Sequence, residues 1–163
     1  MLAITKKTGY GLIALTHLAK LNKESLASAR EIAEVYNIPQ SLLMNVLKEL
    51  AAAGFVESVR GARGGYRLLK TPAEIDFVSL METLEGPMKL AECVTSAATG
   101  ESTCKLIDNC PIFDPVHKVH RKMRDFLKNV TLEDVLQSND VPSNCELGEQ
   151  DDCGASTDIK TEA

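Results

Sequence analysis

The chain has 163 residues, of which 44% are apolar, 25% charged and 4% aromatic. That is enough for one modest core with appended helical elements and too little for two large domains. The formal charge of -5 speaks against nucleic acid only when taken whole. Residues 1–71 carry ten Lys and Arg against five Asp and Glu, whereas residues 139–163 carry one Lys against seven acids, so a basic front precedes an acidic tail and the average hides both. No run approaches the roughly 20 apolar residues of a membrane span. The opening MLAITKKTGYGLIALTHLAK is interrupted by Thr, Gly, Tyr and His and has no small-residue cleavage site, which predicts a cytoplasmic protein with no membrane partner. Five cysteines in such a chain favour thiols or metal ligands over a disulfide framework.

Between Tyr10 and Leu21, leucines at 12, 15, 18 and 21 recur every three residues with Ala14 and Ala19 among them, predicting a helix with one apolar stripe. Ser28 followed by Glu31 is a capping-box pattern that opens a short helix with Ile32 and Val35 facing inward. Residues 36–38 form a tight turn. Pro39 suits the first position of the next helix, in which Leu43, Val46, Leu47 and Leu50 share one face and after which Gly54 is the stop. The runs FVESV and YRLL around the Gly-rich RGARGG read as a β-hairpin. Three helices followed by such a hairpin make a mainly α, winged helix-turn-helix fold, placing a DNA-binding domain at 1–71.

Thr71-Pro72 interrupts the chain, and Asp76 caps a linking helix with Phe77, Leu80, Met81 and Leu84 as its apolar residues, ended by Gly86-Pro87; this unit covers 72–90. Residues 91–111 hold three cysteines and little periodicity, as expected of a loop that needs an external constraint. From Asp114-Pro115 a long helix is predicted, with Val116, Val119, Met123, Phe126 and Val130 at alternating spacings of three and four, a two-heptad seam. Thr131 caps a last short helix, TLEDVLQ, closing a dimerisation unit at 112–138. The acidic, polar stretch 139–163 is expected to be disordered.

In a helix-turn-helix the helix after Pro39 enters the major groove of double-stranded operator DNA. Gln40, Ser41, Met44, Asn45 and Lys48 stand on its outward side, and Gln and Asn can pair bidentately with adenine. Ser28, at the start of the preceding helix, is grouped with them. On the wing, Arg60, Arg63 and Arg67, with Lys70 nearby, supply cations for phosphates or the minor groove. The same residues would serve equally as an ordinary solvated helix face and a turn, with Gly61, Gly64 and Gly65 present only to make the bend.

Cys93, Cys104 and Cys110, separated by ten and by five residues, offer soft thiolates that suit an iron-sulfur cluster or zinc. Spacing alone fits buried, unligated cysteines as well. Zinc would draw a fourth ligand from His117 or His120, but the closely paired cysteines common in zinc sites are absent. Cys145 and Cys153 in the tail read as incidental thiols, and His17 as a plain helix residue. The seam from Val116 to Val130 suits either the protein's own core or a homodimer reading two half-sites. No G-x-S-x-G, P-loop or H-E-x-x-H pattern is present, and no enzyme is predicted.

With these residues placed, the chain resembles the Rrf2 family of winged-helix transcriptional regulators from about Met1 to Gln137. The likeness is carried by VRGARGGYRL in the wing, LMETLEGP in the linking helix, CKLIDNCPI in the cysteine segment and VTLEDVL after the long helix; GPMKLAEC is most similar to SUF-type members. The resemblance implies a dimeric repressor of iron-sulfur assembly genes (SUF/ISC-type) that senses cluster supply, redox state or nitric oxide. Its 2Fe-2S or 4Fe-4S cluster would sit on Cys93, Cys104 and Cys110, with Arg60 as the wing arginine and Ser41 as a recognition-helix contact.

The chain also departs from the family pattern. The first two cysteines are further apart than is typical, Phe113 stands where IscR-type members have His, and Gly9 stands where NsrR-type members have an acid. Met44 replaces the Glu of IscR-type recognition helices, so the operator sequence does not carry over. The fourth ligand is open, with His117 as the candidate from this chain. Alternatives are a cluster-free or zinc-stabilised regulator of the same fold, or an iron-sulfur carrier or redox protein.

Overall fold

The computed structural model describes residues 4–22, 25–61, 64–91, 93–94, 104 and 109–137. Helices α1 (Lys6–Lys20), α2 (Ala29–Tyr36) and α3 (Gln40–Ala52) precede the antiparallel strands β1 (Val56–Val59) and β2 (Gly65–Leu68). A 3-10 turn at Pro72–Glu74 leads to α4 (Phe77–Glu85), and α5 (Phe113–Lys128) and α6 (Leu132–Gln137) complete the order. No helix among the described residues is long and apolar enough to cross a membrane.

Helix α1 begins earlier than its leucines suggest because the Thr5 hydroxyl accepts from the backbone N–H groups of Lys7 and Thr8, meeting two donors that a helix start leaves unpaired. Its inward line is Thr8, Gly11, Ala14, Leu15 and Leu18, whereas Leu12 and Leu21 lie only partly buried at the margins. A period of three falls behind the 3.6-residue turn, so a leucine row at that spacing slides off the buried face. Ser28 and Glu31 form both halves of the predicted capping box. Val35 is not an inward residue as expected: it is 61% exposed, and Ala33 is buried beside Ile32 instead. Asn37 ends α2 in the left-handed region at φ 51°, turning the chain into α3. There Leu43, Val46, Leu47 and Leu50 are buried as predicted, each withdrawal of a leucine from water contributing on the order of 2 kcal/mol.

One core unites the winged helix with α4 and α6. Ile75, Leu80, Leu84 and Leu132 join Leu15, Ile32, Leu43, Leu47, Leu50 and Val56 in a single cluster, so the linking helix also forms part of the DNA-binding body. Gly11 lets α1 and α4 approach: a methyl group there would come within 2.6 Å of Leu84 Cδ1. The end of α5 returns to the same body through a bridge between Asp76 and Thr131 and the bond from Leu132 N–H to Ile75 C=O at 2.9 Å. The Asp76 carboxylate caps α4 by accepting from Ser79 N–H at 2.8 Å.

Candidate DNA interface and cysteine segment

The turn at Asn37 presents α3 with its apolar face inward and Gln40, Ser41, Asn45 and Lys48 exposed. Met44 is different from these four, being half-buried and packed against the core. Ser28 spends its hydroxyl on the N–H of Glu31 at 3.1 Å, which orients the start of α2. The wing is held next to that cap. Ala27 and Tyr66 exchange two backbone hydrogen bonds, at 3.1 and 2.8 Å, and only a glycine at 65 permits this, since a Cβ there would sit 2.7 Å from the Ala27 carbonyl oxygen.

The wing cations divide. Arg60 is exposed and makes no ion pair among the described residues, whereas Arg67 reaches across the ribbon to Glu57, with Nη2 to Oε2 at 2.6 Å. Lys70 lies over the Phe55 ring, 4.7 Å from its centre. Arg63 lies outside the described residues. Glu57 is a partner that sequence reasoning missed, although a Glu–Arg pair facing across a hairpin becomes visible once Val56 is set against Leu68.

Cys93, Cys104 and Cys110 are each half-buried and none is in a disulfide. Among the described residues no three His, Cys, Asp or Glu side chains are gathered as a metal site. His117 is brought to the cysteine segment by the first turns of α5: its Nε2 lies 3.2 Å from the Cys93 carbonyl oxygen, and its ring packs on Phe113 at 4.3 Å. A carbonyl can only accept, so Nε2–H donates, and in the neutral ring Nδ1 is then the nitrogen with the lone pair. Histidines that bind metals are commonly oriented in this way, through the other ring nitrogen. His120, one turn on, has its Nδ1 buried without a hydrogen-bond partner among the described residues; burial first, then the neighbouring Arg124 and His117, hold its pKa below the ordinary value. Cys145 and Cys153 lie outside the described residues.

Along α5, Val119 is 53% and Phe126 67% exposed, while Val116, Met123 and Val130 are half-buried. The opposite flank faces α4, where Arg124 and Glu82 form a two-pronged ion pair at 2.9 and 3.1 Å. Of the predicted seam, Val119 and Phe126 are thus exposed among the described residues, and Val116, Met123 and Val130 are partly covered.

Helix-turn-helix, paired wing and an outward polar face on α3 define a winged-helix DNA-binding regulator. The Rrf2 family model, described as an iron-dependent transcriptional regulator, matches residues 4–138, and the chain belongs to that family. It is 32% identical over 137 residues to the HTH-type transcriptional regulator NsrR of Halalkalibacterium halodurans, spanning 84% of this chain and 92% of that protein. Among solved structures it is similar to CymR, the global cysteine regulator of B. subtilis, at 29% identity and a TM-score of 0.62, covering 85% of this chain and 98% of that one. The T. potens IscR structure matches at 29% identity and a TM-score of 0.60, over 85% and 88% of the two chains.

Proposed function

We propose that the protein is a homodimeric repressor acting in the cytoplasm, and that an iron-sulfur cluster on Cys93, Cys104 and Cys110 sets its affinity for operator DNA at iron-sulfur assembly genes. The observation that carries this reading is the position of His117. Its Nε2 lies 3.2 Å from the Cys93 carbonyl oxygen, which supports His117 as the candidate nitrogen ligand, through Nδ1 of the neutral ring, beside a segment with three half-buried thiols. Three soft thiolates and one imidazole fit either cluster type. When bound, the cluster would supply a redox-sensitive and nitric-oxide-sensitive crosslink, and the work of this chain is to hold it and respond to its loss.

The dimer in this reading forms along α5, where Ile112, Val119 and Phe126 are exposed at intervals of seven, the repeat that a paired helix buries. In this reading Ser28, Gln40, Ser41, Asn45 and Lys48, with Arg60 and Arg63 from the wing, contact DNA, Arg67 contributes less because Glu57 holds it, and Met44 supports the helix from the core. A second reading is a cluster-free regulator of the same fold, supported by the likeness to CymR, a cysteine regulator.

Anaerobic purification separates the two readings. The expected result is visible absorbance from thiolate-ligated iron, with iron and sulfide in the preparation and different operator affinity before and after cluster removal. A colourless protein that binds its operator equally with and without iron would establish the cluster-free reading.

A further inference from the structure

The N-terminal turn of α1 holds the C-terminal end of α4 through three polar contacts, and one of its residues also holds the recognition helix. Glu85 accepts hydrogen bonds from the hydroxyls of Thr5 and, at 2.9 Å, Thr8. Lys7 Nζ donates to the Leu84 carbonyl oxygen at 2.6 Å and lies 2.7 Å from Glu49 Oε2. Leu84 is in the last turn of α4, where carbonyls lack helical partners and a cation is favoured. Glu49 belongs to α3, directly after Lys48 and one turn beyond Asn45. Thr8 is wholly buried, so the N-terminal turn of α1 cannot slide without exposing or unpairing a hydroxyl.

This arrangement matters because of where α4 ends. Gly86 leaves the helix with φ 82°, and Cys93 comes seven residues later. One turn before Glu85, α4 is also fastened to α5 by Glu82 and Arg124. A ligand pulling on the cysteines therefore acts on a segment that leaves a helix fastened to both α1 and α5, and Lys7 makes a polar link between the end of that helix and the recognition helix.

We propose that Lys7 is a positioning residue that couples occupancy of the cysteine segment to the setting of α3 through the Leu84 carbonyl and Glu49. The proposal rests on the cluster-sensing reading. A ligand changes DNA affinity only if it is held differently in the two DNA-binding states, and coupling between sites of this kind is typically about 5- to 150-fold. The Lys7 ammonium is the part of the path that can be removed without creating a cavity.

The test measures operator affinity of the full-length protein with cluster loaded and with cluster removed, for wild type, Lys7→Met and Glu49→Gln, together with amide exchange of α3 in both states without DNA. Wild type is expected to show a ratio of at least about 5-fold and a change in α3 exchange on loading. Lys7→Met and Glu49→Gln should both reduce the ratio to within about 2-fold and abolish the exchange change, with cluster absorbance intact. Glu49→Gln keeps side-chain shape and the bond from Lys7 to Leu84, so it stays informative if Lys7→Met folds poorly. Variants that keep the wild-type ratio, or that lose the same affinity in both states, overturn the relay and make Lys7 a structural or phosphate-contacting residue. A wild-type ratio of one overturns the sensing reading itself, and the relay falls with it.

Discussion

Glu57 and Arg67 face each other in the register of the wing and meet at 2.6 Å, which occupies one of the cations expected to reach DNA and leaves Arg60 without an ion pair among the described residues. Arg60→Ala, and likewise Arg63→Ala, is expected to weaken binding to all sequences and to flatten the dependence of log K on log salt by about one, as loss of a phosphate contact does. Arg67→Ala should change that slope less, and Glu57→Gln should steepen it by releasing Arg67. The pair is about half-exposed, so its loss costs stability by less than about 1 kcal/mol. Anisotropy titrations across salt concentrations measure all four; equal slopes throughout would move the DNA face elsewhere.

Asn45 is exposed on the outward side of α3 and has the donor and acceptor pair that reads adenine. Asn45→Ala should cost about 1 to 3 kcal/mol at one base position of the operator and little on unrelated DNA. Binding to single-substitution operator variants checks this. Equal losses on operator and random sequence would make Asn45 a backbone contact.

Cys93→Ala, Cys104→Ala and Cys110→Ala should each abolish or severely bleach the cluster absorbance, whereas Cys145→Ala and Cys153→Ala should leave it intact. His117→Ala should shorten cluster lifetime in air, because it removes both the candidate nitrogen ligand and the hydrogen bond to the Cys93 carbonyl at 3.2 Å. An unchanged spectrum and lifetime would remove His117 from the ligand set, and bleaching by either tail variant would bring residues 139–163 into the site.

Phe126→Asp and Val119→Asp place a charge on side chains that are 67% and 53% exposed in the single chain. They should convert a dimer to monomer in sedimentation experiments while leaving the thermal midpoint of the isolated chain nearly unchanged, since neither is packed in its core. A dimer that survives both would place the subunit contact off α5.

Hydrogen bonds from Thr5 and then Thr8, aided by Lys7, outweigh burial and hold the Glu85 carboxyl below its ordinary value of 4.5. A carboxylate with a depressed folded-state pKa contributes stability that is fully present above the unfolded value and is lost as pH falls through the folded one. Wild type should therefore exceed Glu85→Gln in thermal midpoint at neutral pH, with the gap narrowing once pH drops below 4.5. A gap independent of pH would mean that Glu85 acts through its shape rather than its charge.

Local signals in the sequence determined the helix-turn-helix: the capping box of Ser28 and Glu31, the apolar face of Leu43, Val46, Leu47 and Leu50, and the glycine-rich hairpin each specify a backbone state within a few residues. They also exposed three thiols and a heptad seam as candidate sites. Tertiary structure alone decided which leucines of α1 face inward, that Val35 points to solvent, and that Arg67 is paired with Glu57. It also decided that α4 belongs to the DNA-binding core and that Lys7 bridges Leu84 and Glu49, 77 and 42 positions away along the chain. Such contacts join residues distant in sequence, and their partners are set by how helices pack rather than by the periodicity of any one segment.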